Sequence, residues 1–211
     1  MTDTTCGAGR TDAGVHASGQ VIRFSGAWRH SVADLERALN AVMPASVAVR
    51  ELALAAPDFH PRFSARSRHY VYTVWVGKVR SPQRARFAHY VKQPLDLTAM
   101  NEAAATLVGW HDFATFGGDP EERAGRGNTR RDVMQAQWRV ATDDEGIWYR
   151  FDIEANAFLR TMVRTIVATL LAVGRRERTP TDMVGLLLAA DRRLAPPPAP
   201  ACGLCLVHVR Y

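Results

Sequence analysis

The chain has 211 residues and 47% hydrophobic content, enough to bury a sizeable core as one large domain or two small ones. No stretch reaches the roughly 18 consecutive apolar residues of a membrane span. The polar, acidic opening Met1-Thr2-Asp3-Thr4-Thr5 is unlike a signal peptide, so a soluble, cytoplasmic protein without a membrane partner is expected. A formal charge of +6 and a pI near 9.7 suit a polyanionic partner. The 27 basic residues include only two lysines, Lys78 and Lys92, an arginine bias that a GC-rich genome also produces, so charge permits nucleic acid without requiring it.

In chain order, Gln20 to Phe24 reads as a short strand after a glycine-rich opening. Ser31 to Asp34 forms a capping-box-like helix start; Leu35, Leu39 and Val42 supply the helical stripe, which Pro44 ends. Val47 and Val49 suggest another strand. His69 to Val76 is β-branched and aromatic, as strands favour, and places Tyr70, Tyr72, Val74 and Val76 on one face. A second helix runs from about Leu97 to Val108 and stops at Gly109. A polar, glycine-rich loop follows over 117–128, basic towards its far end through Arg123, Arg126, Arg130 and Arg131. Val133 to Val140 and Ile147 to Ile153 alternate as a hairpin around Asp143-Asp144-Glu145-Gly146. Leu159, Met162, Val163, Ile166, Val167, Leu170 and Leu171 keep strong helical spacing up to Gly174. A helix over about Thr181 to Ala190 then leads through Pro196-Pro197-Pro198 to a final strand, Gly203 to Tyr211. Hairpins mixed with helices predict an α+β fold around a largely antiparallel sheet.

Cys6, Cys202 and Cys205 are an odd number, against a disulfide framework. Cys202-x-x-Cys205 with His208 invites a zinc reading. In an alternating strand, however, Cys202 and His208 face one side and Cys205 the other, which does not close one tetrahedral site. Three ordinary thiols and no metal are expected.

Cys6 to Ala17 reads CGAGRTDAGVHA. Its glycines invite a phosphate cradle, but a dinucleotide fingerprint from Gly7 needs glycine where Asp12 stands. A P-loop from Gly9 needs lysine where Val15 stands. What remains is Arg10-Thr11-Asp12 in a tight, glycine-flanked turn followed by His16. On its own this reads first as an ordinary Asx-type turn.

The motif Gly9 to Ala17 resembles the signature of the tRNA pseudouridine synthase A family, and similar blocks continue in order. These are Leu39-Asn40-Ala41 with Pro44, Asp58 to Ala65 with Arg68-His69-Tyr70-Val71-Tyr72, and Gly109 to Phe113. Asn156 to Arg164 follows, then Ala199-Pro200-Ala201 with Gly203 to Tyr211. Together they span essentially the whole chain. The resemblance implies two similar lobes around one extended sheet: residues 1–95, an incomplete N-terminal lobe carrying the aspartate loop, and 96–211, the C-terminal lobe. It also implies a homodimer acting on tRNA, with uridine of the anticodon stem-loop as target.

The implied reaction moves ribose C1′ from N1 to C5 of the same uracil, an internal rearrangement that needs no redox cofactor, metal or nucleotide. The resemblance assigns Asp12 as the carboxylate, either nucleophile at C1′ or base at C2′. It assigns Arg164 as the ion-pair partner keeping Asp12 ionised; a nearby Arg typically lowers an Asp pKa by about 1–3 units. Position 164 flanks the apolar stripe, which suits a partly buried guanidinium. Tyr70 is implied to stack on the base and assist proton transfer at C5, with Tyr72 beside it as core. Arg10 is implied to displace the target base or hold its place. Arg62 and Arg68, with Arg66, form a basic run open to phosphates or simply to solvent, while Thr11 and His16 shape the loop.

Family members usually carry a strand–helix unit ahead of the motif, which here arrives at Gly9; a start upstream of Met1 or a truncated product is therefore expected. The rival expectations are a pseudouridine synthase acting on another RNA, a non-catalytic RNA-binding remnant of the family, and a nucleotide-binding protein.

Overall fold

The computed structural model describes residues 5–117 and 128–211. Arg123 and Arg126 of the expected basic loop lie outside them. Two compact units are present, one of residues 1–8 and 21–64, the other of 9–20 and 65–211.

The smaller unit holds two-residue strands β1 (Cys6–Gly7) and β3 (Ile22–Arg23), paired antiparallel, and helix α1 (Val32–Val42). Ser31 caps α1 as its sequence predicts: its hydroxyl accepts from the Asp34 amide, and the Asp34 carboxylate returns to the Ser31 amide. The strand expected at Val47 and Val49 does not form. The Asn40 side chain instead accepts from the Val49 amide and donates to its carbonyl, both at 2.8 Å, occupying the groups a ladder would need.

The larger unit is built on a seven-stranded, mostly antiparallel sheet. Its strands are β2 (His16–Ala17), β4 (Ser67–Gly77), β5 (His89–Val91), β6 (Gly109–Asp112), β7 (Arg130–Asp143), β8 (Gly146–Ala155) and β9 (Leu204–Arg210), running in the order β2-β9-β4-β8-β7-β6. One edge of β4 is shared: β9 pairs with Ser67 to Tyr72, and β5, running parallel, with Val74 to Val76. The predicted hairpin is β7–β8, longer than expected. Its turn is closed by Asp143 Oδ1, which accepts from the amides of Glu145 and Gly146, each at 2.9 Å.

Helices α2 (Leu97–Ala105), α3 (Met162–Gly174) and α4 (Pro180–Ala189) complete this unit, α2 packing against β7, α3 and α4. Eleven of the thirteen α3 residues are buried, so this helix is core on nearly all sides and the apolar stripe read from its sequence is only part of its buried surface. Helix α2 ends three residues earlier than expected, because the Thr106, Leu107 and Val108 amides tighten onto Ala103, Ala104 and Ala105 carbonyls. Gly109, expected as a helix stop, instead opens β6 with a left-handed φ of 100°, where glycine alone avoids a Cβ clash. The mixed α+β architecture around a largely antiparallel sheet is the one expected.

Candidate active site

The turn from Gly9 to Val15 is closed by the Val15 amide donating to the Asp12 carbonyl at 3.1 Å. Gly14 sits at φ 82°, and a Cβ there would lie 3.3 Å from the Ala201 Cβ. Glycine therefore serves both the left-handed backbone and the close approach. Past the turn, β2 pairs parallel with Cys205 and Leu206 of β9, and the amides of Ser18 and Gly19 both donate to the Leu206 carbonyl. A Cβ on Gly19 would fall 2.2 Å from the Val207 carbonyl oxygen, so only glycine lets the chain lie this close to β9.

Opposite Asp12 stands Arg164 in the first turn of α3. Its Nη1 donates to Asp12 Oδ2 at 2.7 Å, and its Nε donates to the Ala199 carbonyl at 2.7 Å. The Ala199 amide returns a bond to the Arg164 carbonyl at 3.0 Å. The guanidinium is thus fixed by two acceptors in its own plane, a geometry its fork matches and an ammonium does not. With 18% and 29% of their side-chain areas exposed, both partners are mostly withdrawn from water. Thr161, just ahead of α3, has φ 62°. For a β-branched residue this is a strained conformation, and it sits three residues from the arginine. Gly117 passes so close that a Cβ would meet the Arg160 carbonyl at 2.5 Å.

Tyr70 lies on β4 at a register shift between His69 and Tyr70 against β9, a bulge of the kind that re-aims a side chain. Its ring is 8% exposed and meets Phe158 edge to face, centroids 5.2 Å apart. Burial pushes its phenol up to about 12, the Arg68 charge opposing the rise while Asp12 and Cys205 add to it. Tyr70 is therefore a neutral donor near the carboxylate. Tyr72 is core, as expected, with no exposed surface and its hydroxyl donating to the Pro200 carbonyl at 2.8 Å; burial raises its phenol as well.

The arginines expected at the substrate divide. Arg10 is exposed on the turn, two residues before Asp12. Arg68 is 9% exposed, and its Nη1 donates to the carbonyls of Ala65 and Asn156. This differs from the solvent-facing phosphate contact expected of it, and its charge bears on Tyr70 instead. Arg62 belongs to the smaller unit, exposed, with its guanidinium 5.9 Å from the Phe63 ring centre. His16 has its expected loop-shaping place: its Nε2 donates to the Arg86 carbonyl at 2.6 Å and its ring lies 4.6 Å from Phe87.

Cys202 and Cys205 do not converge. Cys202 lies in a short 3-10 turn ahead of β9, its thiol 3.8 Å from the Ala88 carbonyl, whereas Cys205 lies 3.8 Å from the Ser18 hydroxyl. Ala199 and Phe158 lie in the resembling blocks but had no role assigned there, and the Arg86–Phe87 pair lies in none of the sequence patterns. Two of them act through backbone carbonyls, which any residue supplies. What the cluster offers chemically is one fixed carboxylate, a cation locked against it, and a neutral phenol within its field.

The sequence matches the family model for tRNA pseudouridine synthase over residues 103–211. It is 43% identical to a tRNA pseudouridine synthase A of Moorella thermoacetica, across 99% of this chain and 82% of that protein. A protein of the same name from Syntrophotalea carbinolica is 41% identical, across 97% of this chain and 78% of its own length. One from Geobacillus kaustophilus is 40% identical across 97% and 76%.

Proposed function

The chain belongs to the tRNA pseudouridine synthase A family, an isomerase of uridine in tRNA, and on that premise we propose that Asp12 is its catalytic carboxylate. The observation carrying this reading is the Asp12–Arg164 pair, held from outside by the Ala199 carbonyl. A carboxylate so paired keeps its cation when substrate excludes water, because losing it would strand a charge in low dielectric. Arg164 takes Oδ2 and leaves Oδ1 to act on the ribose, as nucleophile at C1′ or as base at C2′.

In either route the N1–C1′ bond breaks, the uracil turns, and C5 bonds to C1′, displacing the Asp12 carboxylate in the first route and with the C2′ proton returned by Asp12 in the second. The C5 proton then leaves to solvent while N1 gains one, so the product is an isomer and no electrons are exchanged with a cofactor. Tyr70, a neutral phenol near Asp12, lies against the base and hands on the C5 proton. Arg10 fills the space left by the displaced nucleotide, which lowers the cost of extrusion, a few kcal/mol in a duplex and less in a loop. Arg62 meets phosphate, and Arg68 acts through Tyr70.

In this reading the target lies in the anticodon stem-loop, the protein works in the cytoplasm as a homodimer, and residues 1–95 and 96–211 form two lobes sharing the sheet. No helix among the described residues is long and apolar enough to cross a membrane.

The test is tritium release from unmodified tRNA carrying 5-³H-uridine, with substrates whose labelled uridines are confined to the anticodon stem-loop or excluded from it. Release by the unmutated chain and none by Asp12→Ala, with tRNA binding retained, supports the assignment. Binding without release by the unmutated chain supports a non-catalytic RNA-binding protein instead. Light scattering of the purified chain reads the dimer.

A further inference from the structure

The segment joining β4 to β5 is pinned at both ends. Its turns are closed by Ala85 donating to the Ser81 carbonyl at 3.0 Å, and by Phe87 and Ala88 donating to the Arg84 carbonyl at 2.9 Å. Arg84 is sandwiched between two indoles, its guanidinium carbon 4.8 Å from the ring centres of Trp75 on β4 and Trp148 on β8. It also pairs with Glu145 at 2.5 Å and Asp143 at 3.6 Å. At the other end Ala88 is buried. Between these anchors the Arg86 carbonyl receives His16, whose ring lies against Phe87.

Despite this framework, the Phe87 ring is 59% exposed, and the side chains of Lys78, Arg80 and Arg86 on the same segment face solvent. A single exposed apolar residue is ordinary. An aromatic face held by this framework, with the exposed Arg86 next to it in the chain, is different, because it matches the combination that single-stranded nucleic acid uses: a ring for a base and charge for the backbone. It is also tied, through His16, to the chain segment that carries Asp12. His16 is four residues after Asp12, a chain reach of at most about 14 Å.

We propose that Phe87 is an RNA-stacking residue, taking an unpaired nucleotide next to the uridine being isomerised, with Arg86, its neighbour in the chain, neutralising a flanking phosphate. His16 is the positioning residue that ties this ring to the catalytic turn, so the same contact aligns the flanking nucleotide with Asp12. A merely structural Phe87 would only cover the His16 ring, a task leucine performs equally well. The proposal rests on tRNA being the substrate and not on which uridine is modified.

Phe87→Leu, Phe87→Trp and Arg86→Ala in the full chain separate these roles. Binding is read by filter retention of unmodified tRNA, and isomerisation by single-turnover tritium release against enzyme concentration. A chain that binds without turning over still reports on the stacking site. Stacking predicts that Phe87→Leu weakens tRNA binding about tenfold, raises the half-saturating enzyme concentration in parallel, and leaves the urea unfolding midpoint in place. Phe87→Trp restores binding, since stacking tolerates any large ring. Arg86→Ala weakens binding on all tRNAs alike and reduces the salt slope by about one. Unchanged binding by Phe87→Leu, or equal losses for leucine and tryptophan, overturns the proposal.

Discussion

Replacing Arg164 with lysine separates two hydrogen bonds that one guanidinium makes at once, Nη1 to Asp12 and Nε to Ala199, both at 2.7 Å. An ammonium keeps the charge but cannot present this fork, so it serves one acceptor and abandons the other. Bonds to charged groups contribute about 1.5–3 kcal/mol. The partners retain 18% and 29% exposure, and solvent screening puts the loss near the lower end, about 1.5–2 kcal/mol. At 1.36 kcal/mol per tenfold, a loss falling on Asp12 alignment slows single-turnover tritium release about 10–30-fold at saturating enzyme. Urea unfolding of Arg164→Lys, Asp12→Asn and the double variant closes a thermodynamic cycle, with a coupling of about 1–2 kcal/mol expected between the positions. A release rate within twofold of the unmutated chain, together with additive stability changes, refutes the reasoning.

Tyr70 gives an alkaline prediction. Its folded phenol is held neutral up to about 12 whereas an unfolded tyrosine ionises near 10. The associated stability is therefore fully present below about pH 10 and lost as pH rises towards 12. Tyr70→Phe flattens that limb by about 2–3 kcal/mol, measured as urea midpoints between pH 9 and 12. His89 gives the acid counterpart: burial and then the Arg175 charge lower its folded value, so its contribution is present above about pH 6.5 and lost as pH falls, and His89→Gln should remove that slope in the same assay. Gly19→Ala places a Cβ against the Val207 backbone, where no rotamer relieves the overlap. Tritium release should fall at least tenfold with the far-UV circular dichroism preserved. Ile166→Ala opens a cavity in a fully buried position and should cost about 2–5 kcal/mol in urea unfolding.

Periodicity made the long elements legible. The stripe through Ile166 and Leu170, the β-branched run around Tyr72, and the alternation from Ile147 to Ile153 each need many residues in phase, and each has its element. The short strands escaped for the same reason: His16–Ala17 and His89–Val91 contain no period to read, and long-range pairing alone defines them. Gly109 misled because glycine after an apolar helical run reads as a C-cap, whereas the left-handed φ here begins a strand. In the site, Asp12, Tyr70 and Arg164 were legible through motif resemblance, and the structure brings Arg164 to Asp12. Arg68 reads from the sequence as one of a surface basic run, yet its guanidinium is spent on buried carbonyls, which charge spacing cannot show. Ala199 contributes only its backbone amide and carbonyl, 35 residues from the arginine it holds.

The parallel pairing of β2 with β9 also orders events during synthesis. Residues 16 and 205 are neighbours in the sheet, so the turn bearing the carboxylate leaves the ribosome long before the strand that secures it exists. At about 5–20 residues per second, the intervening chain takes roughly 10–40 s to make. Throughout that interval the nascent polypeptide carries the Asp12 turn without its docking strand. Docking of this turn is thus a late event in translation, one that a ribosome stalled before residue 205 does not reach.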